Sequence, residues 1–132
     1  MQFIKQYAVS LTIFLVIDFI WIFLVANNAY NKEIPSLLRD KPLMVPALLF
    51  YLIFTLCLYF VVIGPAISSD TYSIYKSALH GFLFGFAAYS TFALTNRSLI
   101  EGWTLLVTVS DMVWGGVLAS LVSILTLLVF VK

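Results

Sequence analysis

Charged residues are scarce in this sequence. Asp, Glu, Lys and Arg together make up 10% of its 132 residues, whereas they account for about a quarter of an average soluble domain. The formal net charge is only +1 and the few Lys and Arg residues are spread along the chain, so we expect no nucleic-acid partner, because phosphate binding requires clustered cations. Since 63% of the residues are hydrophobic, the composition indicates an integral membrane protein.

Cysteine and histidine each occur only once, as Cys57 and His80. A single cysteine excludes an internal disulfide framework and a thiol metal site, and a single histidine excludes a histidine-rich metal site. The sequence also lacks the glycine-rich nucleotide loops and the HExxH and GxSxG motifs of soluble enzymes. We therefore expect no metal site, leave the cofactor open, and expect any chemistry to depend on carboxylates.

Four apolar runs are each long enough to cross a bilayer, since about 20 residues at a rise of 1.5 Å span the hydrocarbon core. We predict four helices, at about 7–26, 45–67, 75–95 and 103–131. Residues 27–41 are rich in polar and turn residues, which predicts a loop outside the hydrocarbon. The expected fold is all-α, a polytopic membrane protein whose single domain, residues 1–132, is a bundle of four transmembrane helices with both termini on the same side.

The charge distribution does not decide the orientation of this bundle. We name the side with both termini and the turn near Asp70 the terminal side, and the side with residues 27–41 and the turn near Asn96 the loop side. The seven Lys and Arg residues divide almost evenly between the two sides, which is too small a bias to identify the cytoplasmic one. A single orientation and insertion in both orientations, with pairing as an antiparallel homodimer, both stay open.

Two aspartates lie inside the apolar runs, and each is followed by a tryptophan three residues later. Each lies about eight residues from the loop-side end of its predicted helix, so both carboxylates should be roughly 12 Å below that surface. Two tyrosines and an asparagine of the other helices fall near that depth or just above it. We therefore predict one polar cluster that forms a substrate- or proton-binding site, made of Asp18, Asp111, Trp21, Trp114, Tyr51, Tyr89 and Asn96.

This cluster has a functional and a structural interpretation. A charged aspartate at the centre of a membrane helix costs about 2.5 to 3.5 kcal/mol, so buried carboxylates commonly mark binding sites or ion pathways. Alternatively, Asp18 and Asp111 only hydrogen-bond neighbouring helices, although such bonds average about 0.6 kcal/mol. If the two carboxyl groups lie close together, their repulsion should keep a proton on one of them at neutral pH. The tryptophans could stack on a cation, but packing is their simpler explanation.

The third and fourth predicted helices carry small residues at four-residue intervals. Gly81 and Gly85 lie on the third helix, and Gly115 and Ala119 lie on the fourth. Such stripes let helix backbones approach closely. Packing of these two helices within one chain is the favoured interpretation, and a contact face for a second copy is the alternative.

Several of these features together resemble one known family. They are Asp18 with Trp21, Leu49-Phe50-Tyr51, Gly81 and Gly85, Ala88-Tyr89 to Leu94-Thr95-Asn96, Gly102-Trp103, and Asp111 to Gly115 with Trp114. On this pattern, which covers nearly the whole chain, the sequence resembles domain of unknown function 2177, a family of small bacterial membrane proteins. The resemblance implies a four-span protein of the bacterial inner (plasma) membrane, and it implies no activity.

Three functions stay open. The first is a small proton- or cation-coupled transporter or channel that acts as a homo-oligomer through Asp18 and Asp111, since near-repeated sequence on oppositely directed helices is a feature of transporters. The second is an intramembrane enzyme that modifies a lipid with one carboxyl as acid and the other as base. The third is a non-catalytic membrane subunit or assembly factor. The expected partners are the lipid bilayer, a small solute or lipid, and a second copy in a homodimer.

Overall fold

The structure is a computed structural model that describes residues 1–71 and 73–131. It contains four long apolar helices, each able to cross a membrane by length and composition: α1, Gln2–Glu33; α2, Met44–Ser68; α3, Ile74–Leu99; and α4, Leu105–Phe130. No strand occurs in the described residues. The prediction of an all-α protein with four membrane-spanning helices is confirmed, and the placement of both termini on one side of the membrane stays a prediction.

The local sequence explains where α3 and α4 begin. The side chain of Ser73 accepts a hydrogen bond from the backbone N–H of Lys76, and Thr104 accepts one from Val107, which satisfies amides that have no partner inside a helix. Between the two helices, Gly102 adopts φ +84°, in the left-handed region that favours glycine. The two helices are thus joined by a short turn.

Helix α1 extends further than the sequence predicted. Residues 27–33 were expected to form part of a loop, but they continue the helix. The physical reason is packing, because Tyr30 and Ile34 lie against Trp103, just before α4, and Val107 in its first turn. The polar side chains on the remaining faces of this stretch are mostly exposed, so the helix ends as an amphipathic segment rather than an aqueous loop.

Two of the helices contain a π-helical stretch, Ile22–Ala26 in α1 and Tyr59–Ile63 in α2. A π turn accommodates one more residue than an α turn, and such bulges occur frequently at functional sites. The extra residue changes which side chains face the bundle beyond the bulge. The hydrophobic pattern of the sequence does not predict either stretch.

Helices α3 and α4 approach closely along their small residues. A Cβ atom built on Gly85 would collide with the backbone carbonyl oxygen of Gly115 and would lie 2.6 Å from Cβ of Ala119. A Cβ atom on Gly81 would lie 2.8 Å from Oγ of Ser123. The backbones can take this separation only because these positions lack larger side chains.

Helix α1 packs against α2 and α4 and runs antiparallel to both. Near its start, Gln6 Oε1 accepts a 2.6 Å hydrogen bond from the Tyr59 hydroxyl of α2, and Ser10 Oγ lies 3.2 Å from Thr126 Oγ1 late in α4. Between these bonds and the aspartates, a cluster of fully buried apolar side chains fills the bundle. We call this cluster the closed half; it contains Phe14, Leu58, Ile63, Leu118 and Val122.

Candidate functional site

A cavity of about 580 Å³ lies between the four helices, beyond the closed half. Its volume is typical of ligand pockets, which hold about 300 to 1,000 Å³. The wall is largely aromatic, and two carboxylates and two tyrosine hydroxyls interrupt it. The lining residues are Asp18, Trp21, Ile22, Ala26 and Tyr30 of α1, Phe50 and Phe54 of α2, Ala88, Tyr89 and Phe92 of α3, and Asp111 and Trp114 of α4.

Asp18 has a hydrogen-bond donor on each carboxylate oxygen. The Tyr51 hydroxyl of α2 donates to Oδ2 at 2.7 Å, and the Trp114 indole Nε1 of α4 donates to Oδ1 at 3.0 Å. The residue is only 6% exposed, and hydrogen bonds to a charged group are stronger than those between neutral groups. Asp18 therefore joins α1, α2 and α4, an arrangement that suits a positioning role.

Asp111, in contrast, accepts a hydrogen bond on only one of its two carboxylate oxygens from the residues that the structure describes. The Tyr30 hydroxyl donates to Oδ2 at 2.5 Å, whereas Oδ1 accepts no hydrogen bond from the residues that the structure describes. The residue is 5% exposed and lines the cavity. Oδ1 is therefore open to the cavity, where a proton, a water molecule or a cationic group could satisfy it.

The Tyr89 hydroxyl is a second polar group in the cavity wall that has no hydrogen-bond partner among residues 1–71 and 73–131. Its ring fits against α4 only because residue 115 is glycine, since a Cβ atom on Gly115 would collide with the Tyr89 ring. The α3–α4 contact thus places this hydroxyl at the cavity. The cavity therefore presents one free carboxylate oxygen and one free hydroxyl.

The two tryptophans of the repeated motif stack on each other. The ring centroids of Trp21 and Trp114 are 4.3 Å apart and their planes differ by 6°, a contact that contributes about 0.5 to 1.5 kcal/mol beyond area burial. Across the cavity wall, Phe54 meets Tyr89 edge to face at 5.8 Å. These rings give the cavity an electron-rich wall.

The π-helical stretch of α1 explains how Tyr30 reaches Asp111. In a regular α-helix the 12 steps from Asp18 would turn the chain by about 1,200°, so Tyr30 would face roughly 120° away from Asp18. The π turn absorbs about one residue, which reduces the deviation to roughly 20°. Tyr30 therefore lies on the same face of α1 as Asp18, and this face lines the cavity.

The structure brings most of the predicted cluster together. Asp18, Asp111, Trp21, Trp114 and Tyr89 all line the cavity. Tyr51 of α2 does not line the cavity, but its hydroxyl donates a hydrogen bond to Asp18. Whether these residues bind a substrate or a proton stays a prediction.

Asn96 does not join the cluster. It lies in the last turn of α3, where its backbone carbonyl accepts a 2.8 Å hydrogen bond from the Ile100 N–H, and its side chain does not line the cavity. The sequence also missed Tyr30, because it placed residues 27–41 in a loop. The signal that could have identified Tyr30 is the four-residue spacing of Ala26, Tyr30 and Ile34, which is typical of one helical face.

Comparison of the chain with curated proteins gives no significant match, and comparison with solved structures gives none either. Among protein families, the model described as a predicted membrane protein, DUF2177, matches residues 3–128. This match confirms the resemblance found in the sequence and includes every residue of the cavity wall. The description of the family states no activity. The chain is a multi-pass membrane protein that belongs to the family DUF2177.

Proposed function

We propose that the protein is a small transporter that binds an organic cation in the cavity and exchanges it for a proton on Asp111. The observation that carries the proposal is that Asp111, a buried residue, lines an aromatic cavity with a carboxylate oxygen, Oδ1, that has no donor among the described residues. We also propose the bacterial inner membrane as its location, in line with the family resemblance.

The composition of the cavity wall favours a positive ligand. An ionised carboxylate only accepts hydrogen bonds, and an aromatic face attracts a cation by about 0.5 to 2 kcal/mol when the cation lies within about 6 Å. Trp21, Trp114 and Phe54 supply aromatic rings to the wall. The described lining contains no Lys, Arg or His, so it offers no positive side chain to an anion.

An organic cation suits this wall better than a hydrated metal cation. Mg²⁺ and Ca²⁺ take about six or more oxygen ligands, whereas three of the four carboxylate oxygens here already accept hydrogen bonds. A protonated amine needs only a few acceptors and a quaternary ammonium group needs only a nearby negative charge, and both can place their carbon atoms against aromatic rings. Asp111 Oδ1 and the Tyr89 hydroxyl are the two groups that would contact it.

In this proposal Asp111 alternates between a proton and the cation. An unneutralised carboxylate in a membrane costs about 2.5 to 3.5 kcal/mol, so Asp111 holds a proton when the cavity is empty and releases it to water when the cation binds. The total charge of the occupied and empty sites is then the same. Asp18 keeps both of its donors throughout and holds Trp114 in place.

The position of the cavity also supports the hypothesis of a homo-oligomer. The cavity occupies one half of the bundle, and the closed half contains fully buried side chains such as Phe14, Leu118 and Val122. A single copy in this conformation offers the cation access from one direction only. Two copies inserted in opposite orientations would supply a cavity to each side, which supports an antiparallel homodimer.

We expect Asp111→Asn to weaken cation binding at least about 30-fold, because it removes the charge that contacts the ligand, a loss of about 2 kcal/mol. Asp18→Asn should weaken binding less than about tenfold, since it removes a more distant charge and one that is already hydrogen-bonded. Binding is measured by isothermal titration of protein in lipid nanodiscs with dodecyltrimethylammonium and with tetramethylammonium. Cation uptake into liposomes driven by a proton gradient is measured in parallel.

Asp70→Asn is the matched control, because it makes the same charge change in an exposed turn outside the cavity. It should leave binding and uptake unchanged, and thermal unfolding of all three variants separates loss of the site from loss of the fold. Failure of both cations to bind in an Asp111-dependent manner would overturn the proposal. Equal losses in Asp18→Asn and Asp111→Asn would overturn the separate roles of the two aspartates.

A lipid-modifying enzyme is the second candidate. It is supported by the Tyr30 hydroxyl, which lies 2.5 Å from Asp111 Oδ2, since such a pair can transfer a proton to a reacting group. An enzyme would change the lipid composition of the membrane without any cation flux. Lipid analysis of cells that lack the protein, beside the uptake measurement, therefore distinguishes this candidate from the transporter.

A further inference from the structure

We infer that the ligand enters the cavity sideways from the bilayer, between α2 and α3, and that it is a single-chain cationic amphiphile. The inference rests on the proposed function and adds to it a ligand class and a route. Its starting point is that two residues of the cavity wall are also substantially exposed on the outside of the bundle. Phe50 of α2 is 40% exposed and Phe92 of α3 is 50% exposed.

The depth of these two residues places the opening inside the membrane. Phe50 lies six residues after the start of α2, and Phe92 lies seven residues before the end of α3, which is about 9 to 10.5 Å along the helix axis. The two helices contain 25 and 26 residues, so they are about 38 Å long and extend only about 4 Å beyond each face of a 30 Å hydrocarbon core. The opening therefore faces acyl chains rather than water.

Side chains, rather than backbone, separate α2 from α3 at this opening. The two helices approach chiefly through the π-helical stretch Tyr59–Ile63, next to the closed half. Nearer the opening they are bridged by rings, with centroids of Phe50 and Tyr89 6.2 Å apart and those of Phe54 and Tyr89 5.8 Å apart. Rotamer changes of such rings are faster and smaller than helix movements, so a ligand can pass without separating the helices.

The chemistry of the wall then selects the ligand. A cationic head at Asp111 Oδ1 lies among aromatic rings, and a hydrocarbon tail can leave between Phe50 and Phe92 into the lipid. A zwitterionic phospholipid fits poorly, because its phosphate lies close to its amine and would face two carboxylates with no Lys, Arg or His in the described lining. The ligand class is therefore an alkyl amine or alkyl ammonium ion without a phosphate.

The test compares two cations with the same head group in nanodiscs of phosphatidylglycerol. Dodecyltrimethylammonium should bind the wild-type protein at least about 30-fold more tightly than it binds Asp111→Asn. Partition of the cation into the lipid is the same for both proteins, so it does not affect this ratio. Tetramethylammonium, which stays in water, should show no Asp111-dependent binding. Phe92→Ala should change the affinity for the dodecyl cation about fivefold or more, whereas Leu94→Ala, also 50% exposed on α3 but outside the cavity wall, should not.

Each alternative outcome has one meaning. Equal Asp111-dependent binding of both cations would show that the ligand comes from water, which overturns the sideways route and leaves the proposed function in place. Absence of Asp111-dependent binding for both would overturn the proposed function and this inference together. Asp111-dependent displacement of the dodecyl cation by phosphatidylethanolamine in the nanodisc would show that a phospholipid headgroup occupies the site, and it would overturn the single-chain class.

Discussion

Gly85→Ala is expected to destabilise the protein by about 3 kcal/mol or more, the upper end of the usual cost of overpacking. The added methyl group would collide with the carbonyl oxygen of Gly115 and would lie 2.6 Å from Cβ of Ala119. Neither atom can rotate away, because one belongs to the backbone and the other is fixed to it. Helix α3 would have to move away from α4, and the contacts along both helices would be lost together.

Gly64→Ala is the matched control, because it makes the same substitution within α2. A Cβ atom on Gly64 would lie 3.2 Å from the Tyr59 ring and 3.2 Å from its carbonyl oxygen, and Pro65 disfavours a helical residue with a Cβ atom before it, so these costs offset the gain of up to about 1 kcal/mol in helix propensity. We expect a change of less than about 1 kcal/mol for this variant. Thermal unfolding followed by circular dichroism compares the two, and a Gly85→Ala protein as stable as Gly64→Ala would contradict the close α3–α4 approach.

Deletion of Phe23 should remove the π turn of α1 and lower the stability by about 3 kcal/mol or more. Without the extra residue, the segment after the turn rotates by about 100° and shortens by about 1.5 Å. Tyr30 would then face away from Asp111, whose Oδ2 would lose its donor at a cost of about 1 to 3 kcal/mol, and Ile34 would leave its contact with Trp103. Phe23 itself is 72% exposed, so its own side chain contributes little.

Two control variants separate the rotation from its side effects. Tyr30→Phe removes only the hydroxyl and should cost less than the deletion, at most about 3 kcal/mol. Deletion of Leu38, which lies between helices and is 36% exposed, should be tolerated because connecting segments accept length changes. Chemical unfolding measures the three variants, and a Phe23 deletion as mild as the Leu38 deletion would show that the rotation does not matter.

Composition alone was sufficient to predict the four spans of this protein. A chain with so few charges has no other way to bury its apolar surface, and each apolar run matches the bilayer thickness, so the existence of α1 to α4 followed directly. The end of α1 was harder to predict, because most of its last seven residues are polar. Their helical state depends on Tyr30 and Ile34 packing against Trp103, a tertiary contact for which the only local signal is the four-residue spacing of these two residues.

The candidate site was predictable in part for the same reason. Asp18 and Asp111 stand out against an apolar background, and counting residues from the predicted helix ends placed them at the same depth as the cavity that both line. Their separate hydrogen-bond partners could not be counted in this way, because Tyr30 reaches Asp111 only through the π turn. Asn96 is seven residues beyond Tyr89 and so lies on the same face of the helix, but it is two turns closer to the end of α3 and therefore lies past the cavity.

The hydrogen bonds of Asp18 also have a consequence for how the chain is made. Synthesis proceeds toward the C-terminus, so α1 enters the membrane before α2 and Asp18 can bind Tyr51 as soon as α2 follows. Trp114 and Asp111, the remaining partners of Asp18 and Tyr30, emerge from the ribosome only with α4. Nascent chains stalled before α4 therefore carry unsatisfied polar groups in lipid, which should make them targets for quality-control proteases. The completed polar cluster distinguishes full-length molecules from such incomplete ones.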